Sequence, residues 1–99
     1  MDEMEFRARI EVPGLPVEEE SRWQPLIERL ESKFGDFGPV LSWEGDSVIV
    51  VMSTQAVDRG AAARELFGAV AESLNSAGLT DAYPVSLEVE NVGPRLTPA

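Results

Sequence analysis

The sequence predicts an α+β fold in which a four-stranded antiparallel sheet carries two helices on one of its faces. Three patterns predict it: apolar residues at every second position near both ends of the chain, two segments with apolar residues at helical spacing, and a two-residue turn between two apolar arms. In chain order these segments read β-α-β-β-α-β. A chain of 99 residues holds one hydrophobic core, so all six elements belong to a single domain.

The first strand is predicted over residues 5–12, where apolar and charged residues alternate strictly. One face carries Phe6, Ala8, Ile10 and Val12, and the other carries Glu5, Arg7, Arg9 and Glu11. A period of two with one apolar face is typical of a strand that is buried on one side. Pro13 and Pro16 end the strand, because proline has no N–H to give to a ladder.

The first helix is predicted to start between Ser21 and Gln24. Its apolar stripe is Trp23, Leu26, Ile27, Leu30 and Phe34. A start in this interval puts Pro25 in the first turn, where the missing N–H of proline has no helical partner to lose. Gly35 follows the last apolar position, and we expect it to adopt the left-handed conformation of a C-terminal cap.

The second helix is predicted over residues 58–77, with Asp58 as its N-cap and Gly78 as its stop. Its buried stripe is expected to be Ala63, Leu66, Phe67, Val70, Leu74 and Ala77. Phe67 is therefore expected in the core between the sheet and the helices. Glycine inside a helix costs about 1 kcal/mol relative to alanine, so Gly68 predicts a close approach of this helix to a neighbour.

A hairpin is predicted between residues 39–43 and 47–53, with Gly45 and Asp46 as its two-residue turn. The register pairs Trp43 with Val48, Leu41 with Val50, Ser42 with Ile49, and Val40 with Val51. The last strand is predicted over residues 85–92. Its inward residues are Val85, Leu87 and Val89, and its outward residues are Ser86, Glu88 and Glu90.

Right-handed crossovers convert this element order into a sheet with the strand order 4-1-3-2 and both helices on one face. At the level of pattern, residues 1–92 resemble the ferredoxin-like α/β sandwich. Residues 93–99 contain two prolines, and we expect them to form a flexible C-terminal tail. Enzymes, small-molecule sensors, RNA readers and assembly modules all use this fold, so the resemblance implies no particular function.

The composition excludes several kinds of chemistry. The chain has 18 acidic and 8 basic residues, a formal charge of −10, and neither histidine nor cysteine. Without imidazoles or thiols, the usual nucleophiles, bases and zinc ligands are missing, so we expect no catalytic residue, no metal and no cofactor. A chain with this negative charge repels the phosphate backbone of nucleic acids and the surface of anionic lipid membranes. We therefore expect neither nucleic acid nor a membrane as partner.

The amino terminus has neither the basic start nor the long apolar run of a secretory signal, which predicts a cytoplasmic protein. Seven arginines stand against a single lysine, a bias typical of a GC-rich bacterial genome.

One short motif points to a ligand-binding alternative. Residues 12–15, Val-Pro-Gly-Leu, resemble the Pro-Gly-Leu corner between the first strand and helix of ACT domains. That resemblance implies an amino-acid ligand bound at a subunit interface. In those domains the helix follows almost at once, whereas here Pro16 and three glutamates at 18–20 intervene. A sensor of this type, or an enzyme with a site at a subunit interface, is therefore the second hypothesis.

The sheet face away from the helices is the most informative predicted surface, since half of it is charged and half is apolar. The predicted interaction face consists of Val40, Ile49, Val51, Arg7, Arg9, Glu88 and Glu90. The arginines and glutamates are expected to pair across neighbouring strands. Exposed apolar clusters mark interaction sites, so the first hypothesis is a non-enzymatic protein-interaction or assembly module that forms a homodimer through this face or binds another protein there.

Overall fold

A computed structural model of the chain describes residues 3–93. The strands are β1 (Met4–Pro13), β2 (Val40–Glu44), β3 (Ser47–Ala56) and β4 (Ser86–Gly93). The helices are α1 (Glu20–Phe34) and α2 (Arg59–Ser76), and a short 3₁₀ turn, Gly35–Phe37, follows α1. Of the predicted tail, Gly93 ends β4; residues 94–99 lie outside the described residues.

All strand pairs are antiparallel and form one sheet with the order β2-β3-β1-β4, which reads 4-1-3-2 from the β4 edge. The predicted α+β class, with an antiparallel sheet of four strands and two helices, is therefore confirmed. The hairpin register is also as predicted, since Val40 lies opposite Val51 and Trp43 opposite Val48. Gly45 supplies the positive φ, 60°, that the two-residue turn needs.

The core lies between one sheet face and both helices. It contains Ala8, Ile10 and Val12 of β1, Val48, Val50 and Met52 of β3, Leu26 and Leu30 of α1, and Leu66, Val70 and Leu74 of α2. Alternation along β1 and β3 sends these side chains to one face, so the helices cover that face only. The other face, which no helix covers within residues 3–93, is called the open face below.

The buried side of α2 differs from the prediction. Phe67 is 38% exposed, and the buried residues are Ala62, Leu66, Ala69, Val70, Ser73 and Leu74. Small side chains at 62, 69 and 73 let the helix backbone approach the sheet, which turns the bulky ring of Phe67 outward. The predicted burial of Phe67 is therefore wrong.

Both ends of α2 are set by residues that the sequence predicts for this role. The Asp58 carboxylate accepts a hydrogen bond of 2.7 Å from the Ala61 N–H, as an N-cap does. At the other end Gly78 has a φ of 78°, and the Leu79 N–H donates to the Leu74 carbonyl at 3.0 Å. This six-to-one bond, with Leu74 and Leu79 both buried, is a Schellman motif and confirms the predicted stop.

The ends of α1 correct two predictions. The helix begins at Glu20, so Pro25 is its sixth residue and lies beyond the first turn. Pro25 is exposed, so water can serve the carbonyl left without a helical partner. Gly35 is right-handed, with a φ of −58°, and the left-handed cap is Gly38, with a φ of 63°. The extra 3₁₀ turn stacks the Phe37 ring on Phe34 at a centroid distance of 5.9 Å.

Replacing Gly68 by alanine should raise the free energy of unfolding by up to about 1 kcal/mol. Gly68 is exposed, and a Cβ placed there meets no atom within 4 Å, so the predicted close approach is wrong. The measurement is urea denaturation of both proteins. The matched control is Gly78→Ala, which should destabilise because its φ of 78° is unfavourable for alanine. A lower stability of Gly68→Ala would contradict this expectation.

Candidate interaction face

The open face presents side chains from all four strands. They are Val40, Ser42 and Glu44 of β2; Ser47, Ile49, Val51, Ser53 and Gln55 of β3; Glu5, Arg7, Arg9 and Glu11 of β1; and Ser86, Glu88 and Glu90 of β4. All seven residues of the predicted interaction face lie on it. Four of them form one row across the sheet, in the order Val40, Val51, Arg9 and Glu88.

The two arginines of β1 use different partners. Arg7 makes the predicted ion pair with Glu90 on β4, at 3.3 Å. Arg9 does not pair with Glu88, which lies opposite it, and instead reaches across β3 to Glu44 at 2.5 Å. Glu44 is the acidic side chain at the end of β2, and the hydrogen bond to it raises the pKa of the Arg9 guanidinium above its ordinary value. The expected Arg9–Glu88 ion pair is thus replaced by one that crosses a strand.

This crossing ion pair covers part of the predicted apolar cluster. Arg9 lies opposite Val51 and Glu44 lies opposite Ser47, so their contact passes over the intervening open-face residue of β3, Ile49. Ile49 is only 2% exposed. By contrast Val40 is 62% exposed and Val51 is partly exposed. The accessible apolar surface of the face is therefore Val40 with part of Val51, and it is smaller than the sequence indicates.

A shallow hollow lies on the charged half of the open face. It has a volume of about 340 Å³ and is lined by Arg7, Arg9, Val51, Glu88, Val89 and Glu90. Both guanidinium groups already have a carboxylate partner, while Glu88 has no ion pair within residues 3–93. The hollow therefore holds groups of both signs around an apolar floor, and Glu88 acts on Arg9 electrostatically without a direct ion pair to it.

The charge of the open face is negative. Its ionisable residues are the arginines Arg7 and Arg9 and the glutamates Glu5, Glu11, Glu44, Glu88 and Glu90, a formal charge of −3. A second acidic surface is therefore repelled at low ionic strength, and added salt reduces that repulsion.

The corner that resembles an ACT motif is filled by the chain's own side chains. Leu15 is fully buried; its carbonyl accepts a hydrogen bond of 2.8 Å from the Trp43 indole N–H, and its N–H donates to the Asp46 carbonyl at 3.0 Å. The Trp43 ring packs on Trp23 at a centroid distance of 4.9 Å. The two backbone groups of Leu15 are thus used within the chain and do not face a ligand.

Arg22 joins this corner to the loop before β4. Its guanidinium donates to the Gly14 carbonyl at 3.1 Å and to the Asp81 carboxylate at 2.6 Å. The hydrogen bond from Arg22 lowers the pKa of Asp81 below its ordinary value. The sequence offers no signal for this contact, because the residues are 59 positions apart.

No known protein family, curated protein or solved structure matches this chain. Within residues 3–93, no group of three or more acidic side chains is arranged to hold a metal ion. Neither helix of that region combines the length and the apolar character that crossing a membrane requires.

Proposed function

We propose that this chain is a non-enzymatic protein-interaction module that self-associates through its open sheet face. The observation that carries the proposal is the row formed by Val40 and Val51 on the open face, which no helix covers in the described part of the chain. Leaving a large aliphatic side chain in water forgoes about 1.5–3 kcal/mol of burial. A second copy is the simplest cover, because under two-fold symmetry one patch serves both subunits.

The charged half of the face supports the same proposal. The arginines of β1 and the glutamates of β4 form neighbouring columns, with Arg7 opposite Glu90 and Arg9 opposite Glu88. These charged side chains border the row of Val40 and Val51, where they can pair with charged side chains of the second copy at the rim of the contact. Glu88, which makes no ion pair within residues 3–93, can then pair with an arginine of the second copy.

The net charge makes the association weak and dependent on salt. Each copy brings a formal charge of −10, so two copies repel one another beyond the local contacts. Raising the ionic strength screens this repulsion. The dimer should therefore be more populated in high salt than in low salt.

The test is the molar mass by light scattering at protein concentrations up to several hundred micromolar. We expect dimer formation by the unmutated chain and a folded monomer for Val51→Glu, because the added charge lies in water once the subunits part. The matched control is Val17→Glu, since Val17 is 50% exposed in the loop before α1 and lies away from the open face. A monomer at all concentrations and salts, or equal effects of both changes, would refute the proposal.

We assign the chain to the ferredoxin-like α/β sandwiches, which the strand order and the placement of both helices support. We place it in the cytoplasm of a bacterium, on the absence of cysteine and the excess of arginine over lysine in its composition.

The second candidate function is binding of a small amino-acid-like ligand in the open-face hollow. The volume of about 340 Å³ and the presence of both charge signs favour a small zwitterion. A thermal-shift screen with amino acids, nucleotides and divalent cations separates the candidates, because a ligand that binds the native state raises the melting temperature. A shift for amino acids that Arg7→Gln abolishes would favour this candidate.

A further inference from the structure

Strand β3 extends beyond its neighbour β2. On one side β3 pairs with β1 over its whole length, from Ser47 opposite Pro13 to Ala56 opposite Met4. On the other side it pairs with β2 only from Ser47 to Val51. Within residues 3–93, no strand therefore flanks positions 52–56 of β3 on the side of β2.

The hairpin fixes which backbone groups face this unoccupied side. In a two-residue hairpin, the residues that flank the turn, here Glu44 and Ser47, form a hydrogen-bonded pair. Because the pattern repeats every second residue, Ser53 and Gln55 also direct their N–H and C=O groups away from β1. The Thr54 hydroxyl approaches the Gln55 carbonyl at 3.5 Å, but its closer partner is the Glu65 carboxylate at 3.0 Å.

A hollow lies in front of these backbone groups. Its volume is about 510 Å³, and it is lined by Glu5, Asp36, Phe37, Gly38, Ser53, Thr54 and Gln55. Two of these residues are acidic and none is basic. The 3₁₀ turn after α1 forms its opposite wall, so the hollow lies between a free strand edge and an acidic loop.

We propose that this edge slot, formed by Ser53–Gln55 and the 3₁₀ turn, takes up an extended basic segment of a partner protein as an added strand. The outward N–H and C=O groups of Ser53 and the outward N–H of Gln55 supply the main-chain hydrogen bonds by which a strand is added to a sheet edge. Glu5 and Asp36 select lysine or arginine side chains on that segment. A second copy of the slot is repelled by the same two carboxylates, which disfavours self-pairing at this edge.

The experiment uses the whole chain and a seven-residue peptide in which lysine alternates with valine, blocked at both ends. Binding is followed by amide NMR, which reports the responding residues. We expect shifts and slowed hydrogen exchange at Ser53 and Gln55. A peptide with glutamate in place of lysine should not bind.

Two substitutions at one position test the backbone contact. Ser53→Pro removes the N–H that faces the slot and leaves the ladder with β1 intact, because proline is tolerated at strand edges. It should weaken peptide binding by about tenfold, the effect expected for one lost hydrogen bond that leaves its partner unpaired. Ser53→Ala keeps the N–H and should bind as the unmutated chain does.

A second arm keeps the proposal testable if Ser53→Pro fails to fold. Asp36→Asn should weaken the binding of the lysine peptide, and the matched control Glu31→Gln, an exposed acidic residue on α1 outside the slot, should not. The proposal is wrong if the lysine peptide does not bind at millimolar concentration, if both charge variants weaken it equally, or if the shifts map to Val40 and Glu88. The last result would instead show that the peptide binds to the open face. None of these outcomes tests whether the chain self-associates, which the light-scattering experiment measures separately.

Discussion

Replacing Leu66 by alanine should lower the free energy of unfolding by about 2–5 kcal/mol, whereas the same change at Phe67 should cost about 1 kcal/mol or less. Leu66 is fully buried against the sheet, so its truncation leaves a cavity in addition to the lost transfer energy. Phe67 is the larger side chain, but it is 38% exposed, whereas Leu66 is fully buried. The order of the two effects is thus opposite to the order of side-chain size.

Urea denaturation of both variants, fitted as a two-state transition, gives the comparison. The two positions are adjacent in the middle of one helix, so the distance from the helix ends and the solvent conditions are matched. A larger loss for Phe67→Ala would show that α2 is rotated from the orientation described here, with Phe67 and not Leu66 against the sheet.

Replacing Trp43 by phenylalanine should cost about 1–3 kcal/mol, because it leaves a buried carbonyl without its donor. The Trp43 indole N–H donates to the carbonyl of Leu15, which is fully buried. Phenylalanine keeps a ring against Trp23 but has no N–H. The cost should therefore come from the unpaired carbonyl more than from lost packing.

Trp23→Phe is the matched control for this change. The Trp23 indole N–H donates to the Val17 carbonyl at 3.0 Å, but that contact is exposed, so water can replace it. This change should cost about 0.5–1 kcal/mol. Equal losses of unfolding free energy for the two variants would contradict the proposed role of Trp43 in closing the corner after β1.

Local sequence patterns were sufficient to predict the strands and the hairpin. The alternation that begins at Glu5 and the turn at Gly45 each fix which residues share a face, since a shift by one residue would turn every side chain over. The N-cap at Asp58 and the stop at Gly78 are likewise local, because each depends on one side chain and the neighbouring backbone.

The remaining features depend on contacts between distant parts of the chain. Whether α2 buries Phe67 depends on how closely its small residues let it approach the sheet. Whether Arg9 pairs with Glu88 or Glu44 depends on the reach of a long side chain across β3, and both choices fit the strand register. Part of the β3 edge is unpaired because β2 begins late along it, and the 3₁₀ turn determines where β2 begins.

The sheet order has a consequence for how this chain reaches its native state. Of the four described strands, β1 is synthesised first and lies in the interior of the sheet, and one of its two neighbours is β4, which is synthesised last of the four. Until that strand emerges, the β1 edge that will bind it is open, and open edges pair with other chains. The charged residues that alternate along β1 keep identical strands from stacking in this interval. The sheet is therefore completed only after synthesis of the last strand, and the alternation protects β1 until then.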